Sequence, residues 1–208
     1  KMPRHRLAIR PKPSVVQVLE SSRILDDYFK VDRARIRVEQ YDGRMSPPMT
    51  RLVFERGDAV AVLLYDPQER SVILIQQFRY PAYVRDPQHG WLWELVAGVQ
   101  EEGESPEEVA RREAWEEAGY VLESLSYVLT VYPSPGGSSE RIHLFVAPVT
   151  PRQCAGRGGG VPEAGEDILV RSFALDEALG MVERGEIMNA LTVIALQHLA
   201  LHWDRIAS

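Results

Sequence analysis

Cysteine is nearly absent from this chain: among 208 residues only Cys154 carries a thiol. An intramolecular disulfide is thereby excluded, and Cys154 reads as a bystander in a loop in preference to a nucleophile. No apolar run approaches the roughly 20 residues of a membrane-spanning helix, and no secretory signal pattern is present, so a cytoplasmic location is the expectation. Positive charge is also in short supply. The formal net charge is −6, from 24 Lys and Arg against 30 Asp and Glu, which leaves no basic footprint for nucleic acid or an anionic membrane. Histidine is sparse, and His5, His89, His143, His198 and His202 form no ligand pattern. What is present is an ordinary globular composition, 45% hydrophobic and 26% charged, in a length that suits one domain plus a modest accessory element.

The hydrophobic period changes repeatedly along the chain. Residues 14–22 and 28–40 alternate apolar and polar as antiparallel strands do; Asp42-Gly43 marks a hairpin turn, and a third strand is expected at 50–55. These make residues 1–56 a small N-terminal antiparallel sheet, with 57–208 as the main domain. DAVAVLLYD (58–66) and SVILIQQFR (71–79) are apolar runs of buried-strand length joined by a turn at Asp66-Pro67. WLWELVAG (91–98) follows, and further strands are expected near 123–132, 141–149 and 168–174. From about 175 the chain reads as two helices separated near Gly185, and the Gly-rich stretch 154–167 is a mobile loop by composition.

The segment with most chemical content is GVQEEGESPEEVARREAWEEAGY, from Gly98 to Tyr120. Ser105 can N-cap a helix, Pro106 suits its first position, Glu108 closes an S-x-x-E capping box, and Gly119 is a C-terminal stop. At 100° per residue, Glu113, Glu116 and Glu117 gather on one face beside a small-residue seam of Ala110, Ala114 and Ala118. Arg112 lies one turn from both Glu108 and Glu116 and can brace the patch by ion pairing. Clustered carboxylates repel one another unless a cation offsets them, and hard oxygen donors on one face suit Mg²⁺ or Mn²⁺. An acidic cluster alone is more often a solvated helix face; the spacing of the whole segment changes that balance.

Gly98, Glu104, Arg112, Glu113, Ala114, Glu116, Glu117, Gly119 and Tyr120 fill every required position of G-x5-E-x7-R-E-U-x-E-E-x-G-U, where U is apolar. Seven identities at average usage should coincide by chance less than about once in a million chains. The segment resembles the box of the Nudix family. That resemblance implies an α/β fold, a mixed β-sheet sandwiched by helices, and hydrolysis of a nucleoside diphosphate linked to another group. Outside the box, Pro135 stands sixteen residues after Gly119, as in the ADP-ribose pyrophosphatase subgroup. Segments from Tyr28 to His202 are similar to bacterial members of that subgroup, while GDP-mannose hydrolases share the SPGG loop, the GGGV segment and the GEI-containing tail.

Carried over by motif position, the resemblance makes the Ala97 carbonyl, Glu113 and Glu117 the metal ligands, with Glu116 nearby, and Mg²⁺ the cofactor with Mn²⁺ possible. Glu104 and Glu94 become braces or outer groups. The general base or an extra ligand comes from the loop PEAGEDI; Glu166 is preferred for its spacing to Ile168, Glu163 is the alternative, and Ala164 stands where some relatives carry a glutamate. For the substrate, the resemblance points to Tyr28 and Phe29 for the adenine, to Arg51, Arg56 and Arg79 for ribose and diphosphate, to Ser134 and Glu140 for the terminal ribose, and to Val99. Tyr28 and Phe29 could equally be strand core, Arg56 could be a turn ion pair, and Leu52 departs from an acidic residue found in some relatives. The resemblance also implies a homodimer formed through the N-terminal sheet. A nucleotide-binding sensor without turnover is the reading from a different class; such domains commonly lose a box glutamate, and all are intact here.

Overall fold

The structure is a computed structural model that describes residues 13–207; His5 lies outside them. The described chain divides into two compact units, one running up to Arg56 and taking in Ser134–Ser139, the other formed by Gly57–Pro133 and the chain from Glu140 on.

The first unit is a three-stranded antiparallel sheet of β1 (Val16–Asp26), β2 (Lys30–Val38) and β3 (Met49–Glu55), in the order β1-β2-β3. The turn between β1 and β2 falls at Asp27, Tyr28 and Phe29, where the Asp27 carboxylate accepts from the Tyr28 N–H at 2.7 Å. Tyr28 and Phe29, expected inside a strand, therefore sit on a turn. The Asp42-Gly43 turn lies between β2 and β3, with Gly43 at φ 82° as such a turn requires. Ser134–Ser139 bonds to the end of β3: the Phe54 N–H donates to the Gly137 carbonyl, and the Ser139 hydroxyl donates to Glu55 Oε2 at 2.5 Å.

The second unit holds a mixed seven-stranded sheet made of β4 (Ala59–Asp66), β5 (Ser71–Phe78), β6 (Trp91–Glu94), β7 (Val96–Val99), β8 (Ser126–Val131), β9 (Ile142–Pro148) and β10 (Leu169–Ala174). The order is β10-β5-β4-β9-β8, with β6 on β5 and β7 on β4; β4 and β9 run parallel, and the other pairs are antiparallel. The helices are α1 (Tyr80–Arg85), α2 (Pro106–Ala118), α3 (Leu175–Glu183), α4 (Ala190–Leu201) and a terminal turn, α5 (Trp203–Ile206). None is long and apolar enough to cross a membrane.

Alternate residues of a strand point to opposite faces, and β4 uses both. Ala61, Leu63 and Tyr65 pack with Leu175, Ala178, Leu196 and Leu199 of α3 and α4, whereas Val60, Val62 and Leu64 pack with Val109, Ala110, Ala114 and Ala118 of α2. All eight β4 residues are buried. The run 91–98, read from sequence as one strand, breaks at Leu95, whose N–H donates to the Thr192 hydroxyl at 3.2 Å; upstream it pairs with β5 and downstream with β4. The switch brings Ala97 and Gly98 against α2.

Candidate active site

α2 begins and ends as its residues dictate. The Ser105 hydroxyl accepts from the Glu108 N–H, Glu108 Oε2 accepts from the Ser105 N–H at 2.7 Å, and Pro106 occupies the first turn. Gly119 closes the helix at φ 75°. With the Glu108 carboxylate held in the capping box, Arg112 turns elsewhere. It grips Glu104 with Nε and Nη2 at 2.9 and 3.1 Å and reaches Glu113 at 2.5 Å and Glu116 at 3.4 Å. The expected Arg112–Glu108 pair is thus replaced by Arg112–Glu104, because the helix cap competes for Glu108. Hydrogen bonds from Arg112 and then from the Glu101 N–H hold the Glu104 carboxyl below the ordinary carboxylate range, so Glu104 acts as a brace.

Glu117 is 3% exposed, and its Oε2 accepts from the Ala97 N–H at 2.9 Å. Burial pushes its carboxyl up to about 8; the Ala97 N–H opposes this, Glu113 and Glu166 add to it, and Arg79 pulls the other way. Burial also raises Glu113, against the attraction of Arg112 and with repulsion from Glu116 and Glu166. Gly98 leaves room for Glu113: a Cβ on it would fall 1.7 Å from Glu113 Oε1, so a side chain there would displace that carboxylate.

Glu166 arrives on the Gly-rich loop, which is bonded to the end of α2. The Gly160 and Gly159 N–H groups donate to the Glu116 and Glu117 carbonyls at 3.0 and 2.9 Å, and a Cβ on Gly158 would meet the Ala118 carbonyl carbon at 2.7 Å. Helix carbonyls left over at a C-terminus need donors, and this loop supplies them. The stretch expected to be mobile by composition is therefore pinned over its first half. Beyond it, Glu166 Oε2 accepts from the Val161 N–H at 2.7 Å, and the carboxylate lies within electrostatic reach of Glu113 and Glu117. Glu163 stands exposed on the 3-10 turn Pro162–Ala164.

Arg79 follows β5, and its Nε and Nη2 both donate to Glu94 Oε2, at 2.9 and 2.7 Å. Val99 ends β7, half-exposed, with its carbonyl 3.4 Å from Arg112 Nη2. Glu140 belongs to this unit too. Tyr28, Phe29, Arg51, Arg56 and Ser134 belong to the three-stranded unit. There Tyr28 is 87% exposed with its ring 4.9 Å from that of Phe29, which in turn contacts Phe54 at 5.0 Å; Arg51 lies exposed on β3. Two contributors were invisible in the sequence reading, Asn189 and Thr192 at the start of α4. The only local signal was that Asn suits a helix N-cap.

Among the described residues, no three acidic, His or Cys side chains converge closely enough to cage a cation as they stand, since Glu113 leans on Arg112 and Glu166 on Val161. The donor set nevertheless fits a hard divalent ion. It is all oxygen, and the Glu113 and Glu117 carboxyls, raised first by burial and then by neighbouring carboxylates, are groups whose charged form a bound cation would favour.

A NUDIX domain model matches residues 55–190. The chain belongs to the Nudix family. It is similar to the ADP-ribose pyrophosphatase of Escherichia coli K12, 42% identical over 187 residues that cover 90% of this chain and 88% of that protein. It is 38% identical to the Haemophilus influenzae protein of that name over 193 residues, 92% and 88% of the two chains. The GDP-mannose pyrophosphatase of Cronobacter sakazakii is 38% identical over 186 residues, 89% and 95%. A crystal structure of an ADP compounds hydrolase superposes with TM-score 0.67 at 21% identity, covering 93% of this chain and 94% of that one; at that identity the likeness speaks for the fold alone. The expected Nudix architecture, a mixed sheet between helices with a small antiparallel sheet beside it in sequence, is the one observed.

Proposed function

We propose that this Nudix protein hydrolyses the pyrophosphate bond of ADP-ribose, yielding AMP and ribose 5-phosphate, with Mg²⁺ as cofactor and Mn²⁺ as a substitute. The observation that carries the reading is the set Glu113, Glu116, Glu117 and Glu166 gathered beside Ala97, in a chain 42% identical over nine-tenths of its length to an ADP-ribose pyrophosphatase. When bound, the ions would neutralise phosphate charge and lower the pKa of an attacking water. Glu113, Glu117 and the Ala97 carbonyl would hold them, with Glu116 beside them. Glu166 would take the proton from water, an assignment supported over Glu163 by its reach to the buried carboxylates. Arg79 would donate to the diphosphate, for which a planar fork of N–H donors is suited.

Tyr28 and Phe29 would stack on adenine, Arg51 and Arg56 would meet ribose and diphosphate, and Val99, Ser134 and Glu140 would complete substrate contacts. The exposed apolar residues of β1 support a homodimer built through the three-stranded sheet, and the protein would work in the cytoplasm. A Mg²⁺-dependent assay with product identification across ADP-ribose, GDP-mannose and UDP-glucose tests the reading. Equal or faster cleavage of GDP-mannose would replace it with the second reading, which the 38% identity to a GDP-mannose pyrophosphatase favours. Ligand binding without any turnover would make the protein a sensor.

A further inference from the structure

The start of α4 is tied to the acidic site by a relay of hydrogen bonds. Asn189 caps the helix: its Oδ1 accepts from the Thr192 N–H and from the Thr192 hydroxyl, each at 3.1 Å. Its Nδ2 donates to Glu94 Oε1 at 2.9 Å. The other oxygen of Glu94, Oε2, accepts both bonds from Arg79. Glu94 is 5% exposed, and a carboxylate that deep is costly unless both oxygens are engaged.

An arginine and a carboxylate ordinarily meet fork to fork, with two parallel bonds to two oxygens. Here the Asn189 amide donates to Oε1, and two guanidinium nitrogens converge on Oε2 alone. The guanidinium is held to one side of the carboxylate, and its Nη1 has no hydrogen-bond partner among the described residues. The Arg79 side chain is 44% exposed and lies in electrostatic reach of Glu117.

Resting on the reading of this site as one for nucleoside diphosphates, we infer that Asn189 is a positioning residue for Arg79: by occupying Glu94 Oε1 it sets the guanidinium where Nη1 meets the diphosphate. Asn189 itself touches no substrate. Its two functions are separable, because Ser caps a helix about as well as Asn but is too short to reach Glu94 and lacks the amide donor.

The test is calorimetric titration of the whole protein with ADP in the presence of Mg²⁺. Asn189→Ser should weaken the Kd about five- to tenfold, the size expected for losing a hydrogen bond to a charged group, with only a modest fall in melting temperature, because the cap survives while Glu94 Oε1 loses its donor. KM for ADP-ribose should rise in step while kcat stays within about twofold. In an Arg79→Ala background the same substitution should change nothing further, because both act through one guanidinium. Glu94→Gln provides a second route, weakening ADP binding without adding to Asn189→Ser. An unchanged Kd in Asn189→Ser, or an equal loss with and without Arg79, overturns the inference. Failure of the intact protein to bind ADP at all overturns both this inference and the proposed activity, whereas ADP binding without ADP-ribose cleavage overturns the activity alone.

Discussion

β4 and β1 are two strands with opposite fates: all eight residues of one are buried and all eleven of the other are exposed. β4 has hydrogen-bonded strands on both edges and helices on both faces. β1 is the edge of a three-stranded sheet, and Val16, Val18, Leu19, Ile24 and Leu25 stand open along it. Exposed apolar residues along a strand edge are what the homodimer proposed above would cover. The contrast teaches where each task can sit. Carboxyls forced away from their ordinary ionisation need a surrounding that this chain completes by itself, and α2 finds it against β4 and β7. Recognition and assembly, proposed above for the three-stranded sheet, would draw on surface that the chain leaves open.

The largest expected effect lies in the buried unit. Glu117→Gln should lower kcat for ADP-ribose by about 10³-fold or more while far-UV circular dichroism and melting temperature hold; near-normal turnover would remove Glu117 from the ligand set. Next is the packing contrast itself. Leu64→Ala should cost about 2–5 kcal/mol in denaturant unfolding, by lost burial plus cavity. Leu25→Ala should stay within about 0.5 kcal/mol for the monomer yet shift sedimentation toward smaller species. Comparable destabilisation by both would erase the distinction between the strands. Smaller again is the difference between the two loop glutamates: Glu166→Gln should slow turnover about 10²-fold and Glu163→Gln less than about twofold, and the reverse order would exchange their roles.

The remaining prediction concerns pH. The folded Glu117 carboxyl keeps its proton to about pH 8, while its ordinary value is 4.5. Between those values the folded chain binds more protons than the unfolded one, so metal-free stability is greatest below pH 4.5 as far as this group is concerned and declines as pH rises toward 8. Urea midpoints measured in chelator should follow that slope, and Glu117→Gln should flatten it. A midpoint independent of Glu117 would show that its burial is relieved in solution.

Much of this architecture was legible in the residues. The α2 termini followed from Ser105, Pro106, Glu108 and Gly119 because caps are decided by neighbours within one turn. β4 and β5 followed from uninterrupted apolar runs of strand length. What escaped was decided at long range. Spacing on a helix offered Glu108 to Arg112, but it could not register that Ser105 would claim Glu108 first. The 91–98 run looked like one strand, since the partner that splits it, Thr192, lies 97 positions away from Leu95. Asn189 reads locally as a cap and nothing more; its second partner, Glu94, is 95 residues upstream. α1 was missed because a six-residue helix carries too few turns for periodicity to register.

The stem of the loop bearing Glu166 is closed on itself, for Val161 and Glu166 exchange bonds through the Val161 N–H and the Glu166 N–H. Residues added near Gly165 would enlarge that closed ring immediately beside the Glu166 carboxylate. Those added among Gly158–Gly160 would instead pry the hook from α2. The loop's two halves thus hold Glu166 by separate means, one anchoring the chain to the helix end and the other fixing the carboxylate.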